Sequence, residues 1–141
     1  MRKIGIVSGY FNPLHGGHLD YINEARQKCD DLIVIVNNDR QVELKGSKKF
    51  MNEQERCLIM SNLKAVKEAF VSIDQDKHVC KSLILVSEKY ENCALTFYNS
   101  GDRNSEESRE KEICNTYGIT TEYLPLPKVN SSSGLLLKLR K

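Results

Sequence analysis

Two histidines, His15 and His18, stand three residues apart where a loop is expected to become a helix, within the segment Gly9-Tyr-Phe-Asn-Pro-Leu-His-Gly-Gly-His18. Residues at this spacing lie on one face of a helix, so both imidazoles can point at one spot. The glycines between them allow close approach of backbone to a ligand, and a helix N-terminus favours phosphate. These groups indicate a site for charge that develops on a phosphoryl group. Solvated histidines and a metal-binding histidine pair are the alternatives.

The elements that must position this segment follow from the pattern of apolar residues. Continuous apolar runs predict buried strands at 4–7, 32–36, 69–73, 94–98 and 120–124. Helical spacing predicts helices at 18–28, 53–64, 77–90, 106–117 and 135–139. The polar segment 38–50 is expected to be an exposed loop or a short broken helix.

This alternation of strands and helices predicts an α/β fold, a Rossmann-like doubly wound sheet of about five parallel strands with helices on both faces. The loops after the first, fourth and fifth strands would then share one rim, where such sheets bind ligands. Inward positions of the helix at 53–64 are expected to be Cys57, Ile59, Met60 and Leu63. Asn52 and Glu55 resemble a capping box at its start.

Bulk properties narrow the class further. The chain has 141 residues, which fits a single domain over 1–141, and a formal net charge of only +2. This balance of charges argues against a general nucleic-acid binder, while a small anionic ligand remains compatible.

The N-terminal apolar run is too short for a signal sequence, and no stretch suits a membrane span, so a cytoplasmic protein without a membrane partner is expected. The five cysteines form no CxxC pair and are expected to be reduced thiols, with no zinc site.

Three pieces of the chain carry a resemblance to a known family. The run Gly9-x-Phe11-Asn12-x-Leu14-His15-x-Gly17-His18 resembles the GxFDxxHxGH signature of the cytidylyltransferase-like nucleotidyltransferases. Residues 21–22, 31–37, 44–46 and 53–56 resemble the bacterial heptose-1-phosphate adenylyltransferase domain and, more loosely, glycerol-3-phosphate cytidylyltransferase. Ser131, Ser132 and Ser133 resemble the terminal serine- and threonine-rich motif of the family.

The resemblance implies direct in-line attack by an acceptor phosphate on the α-phosphate of CTP or ATP, with release of pyrophosphate. The acceptor would be a small phosphorylated sugar or polyol, Mg²⁺ would accompany the triphosphate without a dedicated protein site, and a homodimer is one assembly that the family forms. The implied catalytic residues are His15, His18 and Lys45. Lys45 and Arg56 would bind the substrate. The implied nucleotide-binding residues are Gly9, Tyr10, Phe11, Asn12, Gly17, Gly101, Asp102, Arg103, Ser131, Ser132 and Ser133.

Departures from the family pattern leave the substrates open. Asn12 stands where the signature usually has Asp, and the Phe-Asn-Pro triad also occurs in mononucleotide adenylyltransferases. Where glycerol-3-phosphate cytidylyltransferase has an Arg-Thr-Glu-Gly run before its serine-threonine pair, this chain has 126–130, without an arginine. A mononucleotide or phosphopantetheine adenylyltransferase is therefore a second hypothesis. A non-catalytic nucleotide-binding module is a third, from a different class.

Overall fold

A computed structural model describes residues 1–100 and 108–125, which form a five-stranded parallel sheet with helices on both faces. The strands lie in the order β3-β2-β1-β4-β5 and confirm the predicted fold class. The strands are β1 (Lys3–Gly9), β2 (Asp31–Val36), β3 (Glu68–Val71), β4 (Ala94–Ser100) and β5 (Ile119–Leu124). The helices of the described ranges are α1 (Gly16–Gln27), α2 (Asp39–Lys45), α3 (Glu53–Ser61), α4 (Cys80–Lys89) and α5 (Ser108–Thr116). None of these helices is long and apolar enough to cross a membrane.

Two apolar cores, one on each face, explain why the strand sequences are apolar throughout. In β2, Leu32, Val34 and Val36 pack towards α1 and α3, while Ile33 and Ile35 pack towards α4 and α5. All five side chains are fully buried. A strand covered on both faces leaves no position for a polar residue, so the alternation of a half-exposed strand is absent.

The sheet reverses its direction of growth between β1 and β4, which pair side by side. The chain runs from β1 outward to β2 and β3, and then returns to the other side of β1. In such sheets the crevice at the carboxyl ends of the two central strands is the usual ligand site. The turn after Gly9 therefore begins where the sequence predicts the chemistry. The loops that follow β4 and β5 lie outside the described residues, and so do residues 101–103, residues 131–133 and the helix predicted at 135–139.

The segment 38–50 is more ordered than its polarity suggests, because residues 39–45 form helix α2. Asn38 Oδ1 accepts a hydrogen bond from Gln41 N, and Gln41 Oε1 accepts one from Asn38 N, so the helix starts with a reciprocal cap. Gln41 is fully buried and also donates to the carbonyls of Asp76 and His78. An isolated helix of this length is marginal. These buried polar contacts stabilise it where hydropathy gives no signal.

Helix α3 corrects one of the four expected inward positions and adds another. Met60 is fully buried as expected, but Ile59 is 36% exposed, and the charged Arg56 is buried instead. Asn52 caps the helix by accepting from Glu55 N, whereas the reciprocal bond of a capping box is not among its contacts. Helix α4 begins at Cys80 rather than at residue 77. The carboxylate of Asp74 accepts the N–H groups of Lys81 and Ser82 there, which fixes the first turn.

All five cysteines are free thiols, as the sequence predicted. Cys29 and Cys114 are buried, and the other three are partly buried. Burial raises the pKa of Cys114 to about 12, so this thiol stays protonated. We therefore assign Cys114 to packing rather than to reaction chemistry.

Candidate active site

The two histidines of the turn after β1 cap helix α1, because both rings accept hydrogen bonds from backbone N–H groups at its start. His15 Nδ1 accepts a hydrogen bond from Gly17 N at 3.1 Å, and His18 Nδ1 accepts one from His15 N at 3.2 Å. His15 is the N-cap residue, and His18 occupies the third helical position, where Glu or Gln usually completes a capping box. The spacing that suggested one shared face thus also builds the first turn of the helix.

These two hydrogen bonds assign the tautomer of each ring. A backbone N–H is always a donor, so each Nδ1 must present its lone pair and the ring proton must lie on Nε2. An Nε2–H can donate to a phosphoryl oxygen, but it has no lone pair for a metal ion. This geometry favours the phosphate interpretation of the histidine pair over the metal interpretation. Within residues 1–100 and 108–125, no group of three or more His, Cys, Asp or Glu side chains could hold a metal ion.

The rings of the two histidines are stacked and neutral. Their centroids lie 3.8 Å apart at an interplanar angle of 29°, and the Phe11 ring meets His18 edge-on at 5.0 Å. Burial lowers the pKa of His15. Burial, followed by the charges of His15 and Lys45, lowers the pKa of His18 to about 4. Both rings are therefore neutral hydrogen-bond donors near pH 7.

This depressed pKa predicts a pH-dependent stability that is carried by His18. Unfolding returns its pKa to about 6.5, so between about pH 6.5 and about pH 4 the unfolded chain binds the extra proton and gains in population. His18 should contribute up to roughly 3 kcal/mol, present above pH 6.5 and lost as the pH falls towards 4. Urea unfolding across this range measures it, with His18→Gln as the control. Equal acid losses in both proteins would contradict the assignment.

The Phe11 ring packs against the histidine turn and explains why position 9 is a glycine. The Phe11 side chain is buried, and a Cβ atom on Gly9 would lie 2.8 Å from its ring. Any larger residue at position 9 would displace the ring that packs against His18. Glycine is therefore required at position 9 because the Phe11 ring packs closely against its backbone. In this structure Gly9 affects the site indirectly, by leaving room for the Phe11 ring.

A second segment, residues 46–51, faces the same turn; we call it the lysine loop. Lys45 ends α2, and Gly46 follows with a left-handed φ of 80°, which favours glycine and turns the chain away from the helix. The Lys45 ammonium lies over the Tyr10 ring, 4.3 Å from its centroid. Its charge also lowers the His18 pKa, so Lys45 and the histidine pair belong to one electrostatic site.

A cavity of about 250 Å³ opens between the turn and the lysine loop. It is lined by Tyr10, Asn12, Lys45, Ser47, Lys48 and Phe50. Ser47 and Phe50 were not among the expected site residues. Phe50 is the one aromatic residue in the polar stretch 38–50, which is the signal that could have identified it. Two ammonium groups and two aromatic rings suit a ligand that joins an anionic group to a ring.

The structure places Arg56 in the protein interior, rather than in the substrate contact that the resemblance implied. Its side chain is fully buried in α3. The guanidinium donates to the carbonyls of Met51 at 3.0 Å, Tyr10 at 2.9 Å and Asn37 at 2.6 Å, and it pairs with the Asp39 carboxylate at 2.9 Å. These contacts occupy the guanidinium with protein acceptors. From the protein interior, Arg56 therefore joins the residues that directly follow β1 and β2 to helix α2 and the lysine loop.

The structure thus combines a doubly wound parallel sheet, two histidines in the turn after its first strand and a lysine that contacts this turn, which is the arrangement expected of a nucleotide-binding α/β protein. The family model described as cytidylyltransferase-like matches residues 6–122. The chain thus belongs to the cytidylyltransferase-like family and is a nucleotidyltransferase.

The relatives to which the chain is similar differ in length. The chain is 28% identical over 134 residues to the FAD synthase of Picrophilus torridus, with 92% of this chain and 91% of that protein covered. It is also 28% identical over 138 residues to the bifunctional protein HldE of Granulibacter bethesdensis. This match spans 96% of the chain but only 27% of that relative's length. The lipopolysaccharide core biosynthesis protein from Thermoplasma volcanium has the same fold, with a TM-score of 0.73 and 24% identity over 91% of this chain and 98% of that one.

Proposed function

We propose that the chain transfers a nucleoside monophosphate from ATP or CTP to a small phosphorylated acceptor and releases pyrophosphate. The observation that carries this proposal is the pair of neutral Nε2–H donors, fixed by backbone hydrogen bonds at a helix N-terminus and accompanied by Lys45. This arrangement can stabilise charge on a phosphoryl group, but its described residues present no activated nucleophile. Direct attack by the acceptor phosphate therefore fits it better than a covalent enzyme intermediate.

The reaction forms one bond and breaks one. An oxygen of the acceptor phosphate attacks the α-phosphorus, and the bond from that phosphorus to the bridging oxygen of the pyrophosphate group breaks. His15 and His18 would donate to oxygens of the triphosphate where negative charge accumulates. Positioning and neutralisation of charge account for the rate, because the leaving pyrophosphate needs no proton from a strong acid.

Lys45, which lines the cavity, would neutralise the acceptor or the α-phosphate. Replacing Lys45 by alanine is expected to lower kcat/KM by roughly 10²-fold, the scale of one lost charge-stabilising donor. Lys49→Ala is a matched control, since Lys49 pairs with Asp39 at 3.6 Å and does not line the cavity. Steady-state pyrophosphate release measures both. Similar losses in the two variants would show that only the general basicity of the loop matters.

Mg²⁺ would act as part of the triphosphate substrate. The Nε2–H tautomers of the histidine pair leave no imidazole lone pair for it, and the described residues offer no other metal-binding cluster. Phosphate oxygens and water suit Mg²⁺ as ligands, and the ion would supply neutralising charge when bound. We expect excess chelator to abolish pyrophosphate release and added Mg²⁺ to restore it. Full activity in chelator would refute this part of the proposal.

Two classes of acceptor are compatible with the cavity. A phosphorylated sugar corresponds to the resemblance to the heptose-1-phosphate adenylyltransferase domain. A phosphorylated flavin is favoured by a specific observation: Phe50 is 62% exposed and lines the cavity together with Tyr10, so that a planar ring could stack there. The near full-length correspondence to an FAD synthase supports the same class and favours ATP as the donor.

A pyrophosphate-release screen tests the proposal. ATP, CTP, UTP and GTP are crossed with phosphorylated sugars, polyols and flavin mononucleotide. We expect release that needs both a triphosphate and one acceptor class. Ring-bearing acceptors should be favoured over short acyclic ones. Binding of a nucleotide in a thermal-shift assay, without release with any acceptor, would instead support a non-catalytic binding module.

A further inference from the structure

Asn12 connects the histidine turn to the lysine loop through its carboxamide. Its Nδ2 donates to the Lys48 carbonyl at 2.7 Å. Its Oδ1 accepts from Phe50 N at 2.9 Å and from Met51 N at 3.3 Å. Both ends of the amide are thus engaged with backbone that lies more than 35 residues further along the chain. The contacts adjoin Lys48 and Phe50, whose side chains line the cavity.

A carboxylate at position 12 could not form this set of contacts. An ionised Asp has only acceptor oxygens, so it could receive the N–H groups of Phe50 and Met51 but would place a second oxygen against the Lys48 carbonyl. Two acceptors at 2.7 Å repel each other, and one backbone acceptor would lose its partner. The family signature usually has Asp here. The lysine loop of this chain therefore depends on its departure to Asn.

Arg56 holds the same two segments from the interior, through the carbonyls of Tyr10 and Met51. That guanidinium reaches only the end of the lysine loop, whereas Asn12 also reaches Lys48 near its middle. The two residues thus fix different parts of the loop. Arg56 attaches the end of the lysine loop to the core, and the Asn12 amide fixes the position of the loop residues that line the cavity.

We propose that Asn12 is a positioning residue for the acceptor site: its amide N–H, which a carboxylate lacks, fixes the loop that carries Lys48 and Phe50. The kinetic part of this proposal rests on the transfer reaction proposed above, whereas the loop contact does not. Loss of the contact lowers the fraction of molecules with a formed cavity, and the apparent affinity for the acceptor falls by that fraction.

The test is Asn12→Asp, with kinetics measured as a function of pH. At neutral pH the acceptor KM should rise about tenfold while kcat changes less, because one donor to the loop is lost. Protonation of the new carboxyl supplies an O–H donor to the Lys48 carbonyl. The ratio of variant to wild-type KM should therefore shrink as the pH is lowered towards about 4, where an ordinary Asp carboxyl takes up its proton. A KM defect that does not depend on pH would show that the donor is not what matters.

Trypsin cleavage after Lys48 and Lys49 at neutral pH provides a readout that needs no activity. Asn12→Asp and Asn12→Ala should be cut faster there than wild type, with nearly unchanged thermal unfolding. Asn62→Asp is the matched control, because Asn62 Nδ2 also donates to a backbone carbonyl, that of Leu58 at 2.8 Å, outside the loop. Wild-type cleavage and wild-type acceptor KM in Asn12→Asp would overturn the proposal. Faster cleavage in a chain that transfers no nucleotide would support the positioning role and refute the reaction.

Discussion

Replacing His18 by alanine should lower turnover by roughly 10²- to 10³-fold and leave the sheet intact. The ring supplies an Nε2–H donor to the triphosphate, and nothing in the described part of the neighbouring structure replaces it. The same change removes the acceptor of the His15 N–H, so the cap of α1 should lose about 1 kcal/mol. Pyrophosphate release and urea unfolding measure the two effects separately.

A second substitution separates the two roles of His18. His18→Gln keeps an acceptor for the N-cap N–H, as Gln41 does for Asn38 at 2.9 Å in helix α2. We expect this variant to recover the stability of the cap while its turnover stays reduced. His78→Ala is the control, because the third histidine pairs with Glu110 on the opposite face of the sheet. Near-normal turnover in His18→Ala would refute the assigned role.

Replacing Arg56 by methionine should lower the free energy of unfolding by roughly 3–5 kcal/mol, as expected when one partner of a buried charged network is removed. Methionine fills a similar space but donates nothing. The carbonyls of Tyr10, Asn37 and Met51 would then lose a charged donor, and Asp39 would lose its closest cation. The loss is a large part of the stability of an ordinary domain.

Arg56→Lys tests the same network if the methionine variant does not fold. Lysine keeps the charge but cannot reproduce the fixed fork of donors, so an intermediate loss is expected. Arg40→Met serves as the control: Arg40 is 61% exposed in its pair with Glu43 and should change stability by less than about 0.5 kcal/mol. A loss in Arg56→Met no larger than that of Arg40→Met would contradict the structural role.

The fold was predictable from the sequence because its strands are covered on both faces. The run at 32–36 has no polar position, and in a chain that also contains helical spacings such a run is typical of a strand buried between two layers of helices. Helix α2 was less predictable, because Asn38 and Gln41 are buried through hydrogen bonds, and hydropathy treats both as exposed. Arg56 shows the same limit: a charged residue at an inward position is recognised only when its acceptors are known.

The site was predictable in its position and in part of its composition. The spacing of His15 and His18 indicated a shared face, but not that each Nδ1 is occupied by backbone, which decides the tautomer. Asn12 could be noticed as a departure from the family signature. Its meaning required the position of Lys48, which lies 36 residues away and is fixed only by the fold.

The central claim is nucleotidyl transfer by direct attack at the α-phosphorus. The most direct test supplies a triphosphate labelled at its α-phosphorus, or in parallel at its γ-phosphorus, together with the acceptor that the screen selects. We expect the α-label to appear in the nucleotide-linked product and the γ-label in pyrophosphate, in equal amounts and without a labelled protein intermediate. Transfer of the γ-label to the acceptor, or an α-label held covalently by the protein, would contradict direct attack.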